Sequence, residues 1–408
     1  MNDTAISVAI DPVQRFPHAF AICGHAIFMH QARLAQLVPG GEIAGVASQM
    51  DSDDRVDFYN ALPGAAQQDL LRALAPHERE DIRALAAHPE ECAGALMTSD
   101  FAVLDADMSA GEAIAELRRQ ASGSETIYRS YVVDSERRLT GSVRLHTLIL
   151  ADAQALIRDL MDPSPVSVTL DTDQEDVGKT IARYDLLAVP VVDAGGRLVG
   201  IVTHDDAADV MQAEATEDFQ KMSTVVPFSQ NLRDASIGVL YSRRIVWLAL
   251  LVFGNLFSGA GIAYFEDMIL AYVSLVFFLP LLIDSSGNAG AQSATLMVRA
   301  LATGDVVLRD WGRLILRECA VAAALGVSMA LVVLPLGAWR GGPDVALTVA
   351  LTMFVVVLIG SLVGMSLPFL LSRMRLDPAT ASGPLVTTIS DGVGVILYFS
   401  IASIILSI

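Results

Sequence analysis

The 408-residue chain changes character at residue 242, where an acidic, polar half gives way to an apolar one. Residues 1–242 contain 18 Lys and Arg against 37 Asp and Glu, and residues 243–408 contain nine of each, so the net charge of −19 belongs to the first half. The second half holds apolar runs long enough to cross a bilayer as helices. We therefore expect a multidomain membrane protein whose soluble portion attracts cations and repels nucleic acid.

Five segments of the apolar half are predicted to span the lipid bilayer, giving an all-α transmembrane domain over residues 243–408. They are residues 245–264, 269–283, 314–338, 345–371 and 384–408. Basic residues cluster on alternate connections, at 243–244, 299–317 and 373–375, and the positive-inside rule places these connections in the cytoplasm. We expect a multi-pass protein of the plasma (inner) membrane with cytoplasmic N-terminal domains.

Residues 1–93 are predicted to form a short N-terminal helical domain. Amphipathic patterns separated by proline-containing breaks indicate helices at residues 26–38, 53–62, 65–75 and 77–88. Asp51, Asp53, Asp54 and Asp57 lie at the start of the second of these helices. Carboxylates there complement the helix dipole without any further role, which is the interpretation that this segment alone favours.

An internal repeat sets the architecture between residues 94 and 220. Val133-Asp134 followed by RRLTG recurs 59 residues later as Val192-Asp193 followed by GRLVG. Each copy is preceded by a segment that begins with Met and has the pattern of a short strand and a helix. The repeat resembles a tandem pair of CBS domains, which are α+β modules of order β-α-β-β-α, here at residues 94–158 and 159–220.

The CBS resemblance also bears on nucleotide binding. In that family the turn Gly-h-h-Thr-x-x-Asp, where h is an apolar residue, can hold the ribose of an adenine nucleotide. The second repeat matches this turn with Gly200, Thr203 and Asp206, whereas the first has Arg144 and Thr147 at the last two positions. The resemblance implies at most one nucleotide site, for ATP, in the second repeat. A purely structural pair is the alternative.

The most polar stretch of the apolar half runs from Pro280 to Asp305. Its Gly, Ser and Asn residues predict that an apolar helix ends at Asp284 and that a helix restarts toward Arg299. Irregular backbone at membrane depth is tolerated only where protein or water satisfies it. The stretch is therefore either the lining of a polar path or an ordinary cytoplasmic loop, and Asp284 at a helix end is open to solvation by water or headgroups.

Asp391 is the clearest ionisable residue inside a predicted span. It lies in the last span among Thr387, Thr388 and Ser390, and no basic residue of that helix can pair with it. Ionisable residues at membrane depth are costly and mark functional sites by default. A carboxylate among hydroxyls suits a hard cation such as Mg²⁺, which keeps part of its water shell. The alternative is a protonated or water-bound structural aspartate.

Three segments together resemble the membrane domain of the MgtE family of magnesium transporters. They are PLLIDSSGNAGAQSATLMVRALATGD, RDWGRLILRE and DPATASGPLVTTISDGVGVILYF. The order of helical domain, CBS pair, connecting (plug) helix at 221–242 and five spans is also that of the family. The resemblance implies a homodimer with a path for Mg²⁺ between its subunits, closed by the cytoplasmic domains when intracellular Mg²⁺ is high.

The same resemblance assigns residues to the path. Asp391 matches the pore carboxylate that holds the hydrated ion, Thr295 a polar neighbour, and Gly287 and Asn288 the pore-lining loop. Ala291 stands where family members typically have Asn, so a methyl group replaces a pore amide and the ion preference stays open.

The resemblance also assigns regulatory metal-binding carboxylates to the soluble portion and to the loop before the last span. Facing carboxylates repel each other unless divalent ions lie between them, so binding of the ions would draw the domains together. The matching residues are Glu175, Asp185, Asp206, Asp209, Glu214, Glu217, Asp218 and Asp377.

Two functions therefore compete. The first is a cation-conducting dimer that moves Mg²⁺, or other divalent cations such as Mn²⁺ and Co²⁺, into the cytoplasm. The second is a sensor of divalent cations or nucleotides whose membrane half no longer conducts. An enzyme is not expected, because no nucleophile, base and orienting residue occur together in a recognisable motif.

Overall fold

The computed structural model describes residues 40–228, 232 and 235–407. They belong to two compact units that divide after Glu214. The helix predicted at residues 26–38 lies outside the described residues.

Four short helices begin the described part of the first unit, and the last three correspond to predicted amphipathic segments. Phe58, Leu70 and Ile82 are buried where these helices pack together. The Arg55 side chain donates to the carbonyl oxygens of Ala47 and Met50 at 2.9 and 2.7 Å, and so satisfies acceptors at and beyond the end of the first helix. The helices are α1 (Gly40–Ala47), α2 (Ser52–Ala61), α3 (Gly64–Ala73) and α4 (Pro76–Leu85).

The two predicted repeats follow, each with a three-stranded sheet and the order β-α-β-β-α. In each sheet the first two strands are parallel and the last two antiparallel. The first repeat contains α5 (Ala93–Leu96), β1 (Phe101–Leu104), α6 (Ala110–Gln120), β2 (Thr126–Val133), β3 (Leu139–Arg144) and α7 (Leu145–Leu150). The second contains α8 (Ile157–Leu160), β4 (Val168–Thr169), α9 (Gln174–Tyr184), β5 (Ala188–Val192), β6 (Leu198–Thr203) and α10 (His204–Met222).

Each repeat completes the sheet of the other. Thr98 exchanges backbone hydrogen bonds of 2.8 and 3.0 Å with Ile201 in β6, and Asp162 does the same with Ser142 in β3. The glycine beside each exchange is needed for space, since a Cβ on Gly200 would lie 2.9 Å from the Thr98 carbonyl oxygen. The repeated glycine of the sequence therefore marks a close approach between the repeats.

The first unit has a core that runs from the helical domain into the second repeat. Phe58, Leu70 and Ile82 belong to the same buried cluster as Val177 and Val189. The helical domain is thus packed on the second repeat, and this packing sets the position of the α2 N-terminus.

The second unit is helical. Its helices are α11 (Ile237–Tyr264), α12 (Glu266–Ala271), α13 (Ser274–Ala302), α14 (Trp311–Arg373) and α15 (Gly383–Leu406). Among the described residues, three stretches are long and apolar enough to cross a membrane, Ile237–Tyr264, Leu308–Arg373 and Gly383–Leu406. The second is two helices, because Gly342 interrupts it with φ 82° and ψ −176°. The count of five spans stays a prediction.

The predicted helix break after Asp284 is wrong, because α13 is continuous through the polar stretch. Ser285 donates to the Leu281 carbonyl at 2.7 Å and Asn288 to the Asp284 carboxylate at 2.9 Å, so polar side chains find partners within the helix. The glycines serve a helix contact instead of a turn: a Cβ on Gly364 of α14 would lie 1.9 Å from the Gly290 carbonyl oxygen. The span predicted at 269–283 is replaced by α12 and the first part of α13.

The connecting helix predicted at residues 221–242 is also not one helix. The first helix ends at Met222, where Thr224 takes a positive φ of 55° and the Val225 amide donates to the Gln220 carbonyl at 2.9 Å. The next begins at Ile237, after Ser236 accepts a hydrogen bond from the Val239 amide. Its start belongs to the long apolar helix α11.

Candidate cation sites

An acidic cluster forms where the helical domain meets the second repeat. The carboxylate oxygens of Glu125, Asp205 and Asp206 lie within 4.8 Å of one another, the first just before β2 and the other two in the first turn of α10. Asp53 and Asp54, at the start of α2, act on the same cluster through their charges. The packing of α2 on the second repeat therefore assembles carboxylates that are far apart in the sequence.

The pKa values show how unfavourable this cluster is as a set of anions. Burial, and then the charge of Asp206, raise the pKa of Glu125 to about 8 and that of Asp54 to about 6. Burial and the charges of Asp206 and Glu125 also raise the pKa of Asp53. Asp53 Oδ1 and Glu125 Oε2 are buried and have no hydrogen-bond partner among the described residues. A divalent cation would supply both the missing charge and the missing partner.

Asp53 and Asp54 do lie in the first turn of α2, as the helix-dipole interpretation expects, but their surroundings differ from those of a solvated helix N-terminus. A carboxylate that only complements a helix N-terminus stays solvated, whereas these two are partly desolvated and repelled by neighbours. Glu125 and Asp205 were missed altogether. The Asp-rich sequences at 51–57 and 205–206 were visible, but nothing in the sequence reports that they meet.

The predicted nucleotide turn lies at the edge of this acidic cluster. The Thr203 hydroxyl donates to the Asp206 carboxylate, and Gly200 is packed against Met97. Asp206 thus already has a hydrogen-bond partner, and the surrounding carboxylates repel phosphate groups. The nucleotide role of these three residues stays a prediction.

The corresponding cleft of the first repeat carries two arginines. It is a cavity of about 210 Å³ whose lining includes Arg129, Arg144, His146 and Thr147, together with one carboxylate residue, Asp162. Arg129 donates to the Ser142 hydroxyl at 3.1 Å, and no ion pair involves Arg129 or Arg144 in the described part of the chain. The cleft therefore presents unpaired guanidinium groups suited to an anion.

The remaining predicted regulatory carboxylates in the first unit are dispersed. Glu175 pairs with Lys179 at 3.0 Å, and Glu214 accepts from Gln174 at 2.6 Å. Asp185 ends α9 in the left-handed conformation, and Asp209 is exposed one turn beyond Asp206. Their metal-binding roles stay predictions.

In the second unit a lysine joins two of the predicted regulatory carboxylates. Lys221 Nζ lies 2.5 Å from both Glu217 and Asp377. Partial burial lowers the pKa of Lys221, but its hydrogen bonds to Asp377 and Glu217 outweigh this and raise it. Asp218, the neighbour of Glu217, also has interaction partners. The ammonium group thus holds the Asp377 loop to the end of α10.

The predicted pore residues lie on α13 and α15, which pack against each other in antiparallel directions. A Cβ on Gly287 would lie 2.7 Å from Thr387 Cγ2, and one on Gly383 would lie 3.6 Å from Ala291 Cβ. Asn288 and Thr295 are exposed on α13. The pore-lining loop expected at Gly287 and Asn288 is helix, so these residues can contribute side chains or a close helix contact, and their backbone is engaged in helical hydrogen bonds.

Asp391 itself is incompletely satisfied. Its Oδ1 atom is buried without a hydrogen-bond partner in the described residues, and so is the hydroxyl of Ser390. Buried polar atoms are nearly always bonded to protein, water or an ion. An unpartnered carboxylate oxygen at this depth fits a cation or its bound water as the missing neighbour.

A network not predicted from the sequence lies elsewhere on α13. The Glu318 carboxylate accepts hydrogen bonds from the hydroxyls of Ser293 and Ser361. These residues come from α13 and from the two halves of α14, so the network links three helical segments. It positions the helix that carries the predicted pore residues.

Family models match more than two thirds of the chain. Residues 279–401 match the MgtE model, described as a divalent cation transporter. Residues 93–153 and 157–213 match the CBS domain, and residues 19–91 match the MgtE intracellular N domain.

Curated relatives agree with these matches. The magnesium transporter MgtE of Thermus thermophilus is 40% identical over 356 residues, which cover 86% of this chain and 79% of that protein. The magnesium transporter MgtE of Bacillus subtilis is 33% identical over 360 residues, covering 87% and 79%. A solved structure of the soluble part of a magnesium transporter aligns with TM-score 0.47 and 36% identity over 49% of this chain and 77% of that one.

Proposed function

Because the chain belongs to the MgtE family of divalent cation transporters, we propose that it conducts Mg²⁺ into the cytoplasm. The path lies in a homodimer in the plasma (inner) membrane, with the N-terminal domains cytoplasmic. The observation that carries this proposal is Asp391 in α15, whose Oδ1 atom is buried and finds no hydrogen-bond partner in the described part of the chain. A hydrated divalent cation satisfies that atom and neutralises the charge.

The acidic cluster is the regulatory site of this proposal. Mg²⁺ bound among Asp53, Glu125, Asp205 and Asp206 removes their mutual repulsion and stabilises the contact between the helical domain and the second repeat. When cytoplasmic Mg²⁺ falls, the ion leaves and the repulsion loosens this contact. The transport domain then opens, so import follows the cytoplasmic demand for the ion.

A nucleotide is a further ligand in this proposal. Its phosphates would lie in the cleft of the first repeat and not at the turn predicted in the second repeat, because Arg129 and Arg144 line the first cleft, whereas carboxylates surround that turn. ATP binding at the CBS pair would then modulate the same contact that Mg²⁺ controls.

The test of transport is flux into proteoliposomes containing a Mg²⁺-sensitive dye. The wild-type protein is expected to admit Mg²⁺, Asp391→Ala to abolish the flux, and Asp344→Ala, an exposed carboxylate beside the interruption of α14, to retain it. Equal flux through both variants would refute the role of Asp391. A wild-type protein that passes no divalent cation, yet is protected from proteolysis by Mg²⁺, would favour the sensor.

The same assay addresses the ion preference. Mg²⁺, Mn²⁺, Co²⁺ and Ca²⁺ are compared in the wild type and in Ala291→Asn, which restores an amide to α13. A changed order of permeation in the variant would show that residue 291 contacts the ion or its water shell.

A further inference from the structure

Asp284 lies inside a long helix of the transport domain, although the sequence predicted that it ends a helix. A helix end there would have left it among water and headgroups, but α13 continues for 18 residues beyond it, from 285 to Ala302. An ionisable residue in the middle of such a helix is costly and needs a partner or a function. No ion pair involves Asp284 within the described ranges 40–228 and 235–407.

The helix register places Asp284 opposite Asp391. Gly287 faces Thr387, and Ala291 faces Gly383, so four residues forward on α13 correspond to four residues back on α15. Asp284 lies about one turn before Gly287, and Asp391 about one turn after Thr387, which brings the two carboxylates to the same level. The two carboxylates are close enough for their charges to interact.

Asp284 also belongs to the predicted pore face of α13. Asp284, Asn288, Ala291 and Thr295 are spaced by four, three and four residues, which is the spacing of one helical face. Three of the four are exposed, and Ala291 is partly exposed. Asn288 donates its amide nitrogen to Asp284 Oδ2 at 2.9 Å, so its own carbonyl oxygen remains available as a ligand.

We propose that Asp284 is a second ion-holding carboxylate of the path, which binds a divalent cation or its water shell together with Asp391. This inference rests on the proposed transport function. In the proposed homodimer each subunit contributes Asp284 as well as Asp391 to the path, and the added negative charge favours a divalent cation over a monovalent one. Asp284 also supplies an interaction that Ala291 cannot make.

The experiment uses the full-length protein in liposomes and compares the wild type with Asp284→Asn. The substitution conserves shape and still accepts the Asn288 hydrogen bond, so folding is preserved. Asp305→Asn is the matched control, because Asp305 lies beyond the end of the same helix and accepts a hydrogen bond from the Thr303 hydroxyl at 2.8 Å. The half-saturating Mg²⁺ concentration of Asp284→Asn is expected to rise at least about tenfold, with a matching gain in Na⁺ or K⁺ flux relative to Mg²⁺.

A second measurement separates this proposal from the proposed transport function. Mn²⁺ binding to the detergent-solubilised full chain is counted by electron paramagnetic resonance in Asp284→Asn, Asp391→Asn and the double variant. Each single variant is expected to weaken the same one site, and the double variant to add little, because both residues hold one ion.

The outcomes are distinct. If Asp284→Asn behaves as Asp305→Asn does in both flux and Mn²⁺ binding, the proposal is overturned. If the wild type conducts no divalent cation, the transport function fails, and the Mn²⁺ count alone decides whether Asp284 and Asp391 share an ion. Independent loss of two sites in the double variant would also overturn a shared site.

Discussion

Gly364 lies where α14 crosses α13 at close range, and its replacement by alanine is expected to destabilise the second unit. A Cβ at this position would lie 1.9 Å from the Gly290 carbonyl oxygen and 2.8 Å from its Cα, whereas real Cβ atoms essentially never come closer than 3.0 Å. The obstacle is helix backbone, which cannot rotate away as a long side chain would. The two helices must therefore separate by about 1 Å or more at this point, with the cost of overpacking a filled interior.

The size of the effect follows from this separation. Overpacking costs about 1–3 kcal/mol, and a gap of about 1 Å forfeits a further part of the dispersion energy of the surrounding contacts. For a unit of this size each kcal/mol lowers the Tm by about 2–4 °C. Thermal unfolding of the detergent-solubilised protein, followed by size-exclusion chromatography, measures the shift.

Gly259→Ala is the matched control. Gly259 also lies in an apolar helix, but a Cβ there would meet nothing within 4 Å, so only the better helix propensity of alanine remains. Gly259→Ala is expected to leave the Tm unchanged or raise it slightly. If Gly364→Ala were as stable as Gly259→Ala, the close contact between α13 and α14 would be wrong.

Two further predictions concern the regulatory carboxylates. Because the pKa of Asp53 is raised in the folded protein, its protonated form stabilises the fold, and that stability is lost as pH rises above the ordinary aspartate value. In Asp53→Asn, the backbone amides of α2 and α10 should therefore lose less protection from hydrogen exchange between pH 5 and 8, and regain less when Mg²⁺ is added. Exchange profiles unchanged from the wild type would contradict this. Lys221→Gln removes the ammonium group between Glu217 and Asp377. Hydrogen exchange in the 377–382 loop should then become faster without Mg²⁺ and slow again when Mg²⁺ is added. An exchange rate that does not change with Mg²⁺ would show that the two carboxylates share no ion.

Local sequence patterns predicted the parts of this fold that depend on local structure. The 59-residue repeat gave both CBS modules, because a strand, a helix and a Gly-containing hairpin recur in register. The amphipathic segments gave α2, α3 and α4 for the same reason. The glycine of each repeat was visible as well, but its purpose, the close approach of the partner repeat, required the structure.

The polar stretch of α13 could not be read correctly from local patterns. Gly287 and Gly290 have the composition of a turn, yet each is buried against a neighbouring helix, and helix packing decides the conformation. Asp284 was assigned to a helix end for the same reason. The local sequence does not distinguish an aspartate at a helix end from one inside a membrane helix. Asp391 was recognised because it lies inside a predicted span, among hydroxyl side chains and without a basic residue of the same helix to pair with.

The acidic cluster was missed because of distance along the chain. Asp53, Glu125 and Asp206 are separated by more than 70 residues in each interval, and only the packing of the helical domain on the second repeat brings them together. No periodic pattern encodes such a meeting.

The exchange of backbone hydrogen bonds between Thr98 and Ile201, and between Ser142 and Asp162, makes the CBS pair a swapped duplex within one chain. Each repeat alone would expose an edge strand with unpaired backbone groups, and the other repeat covers that edge. A cut in the backbone between residues 151 and 156 would therefore produce two fragments with matching edges, each the natural partner of the other. Ser142 and Asp162 also line the basic cleft, so this exchange of hydrogen bonds connects the start of the second repeat directly to the cleft of the first.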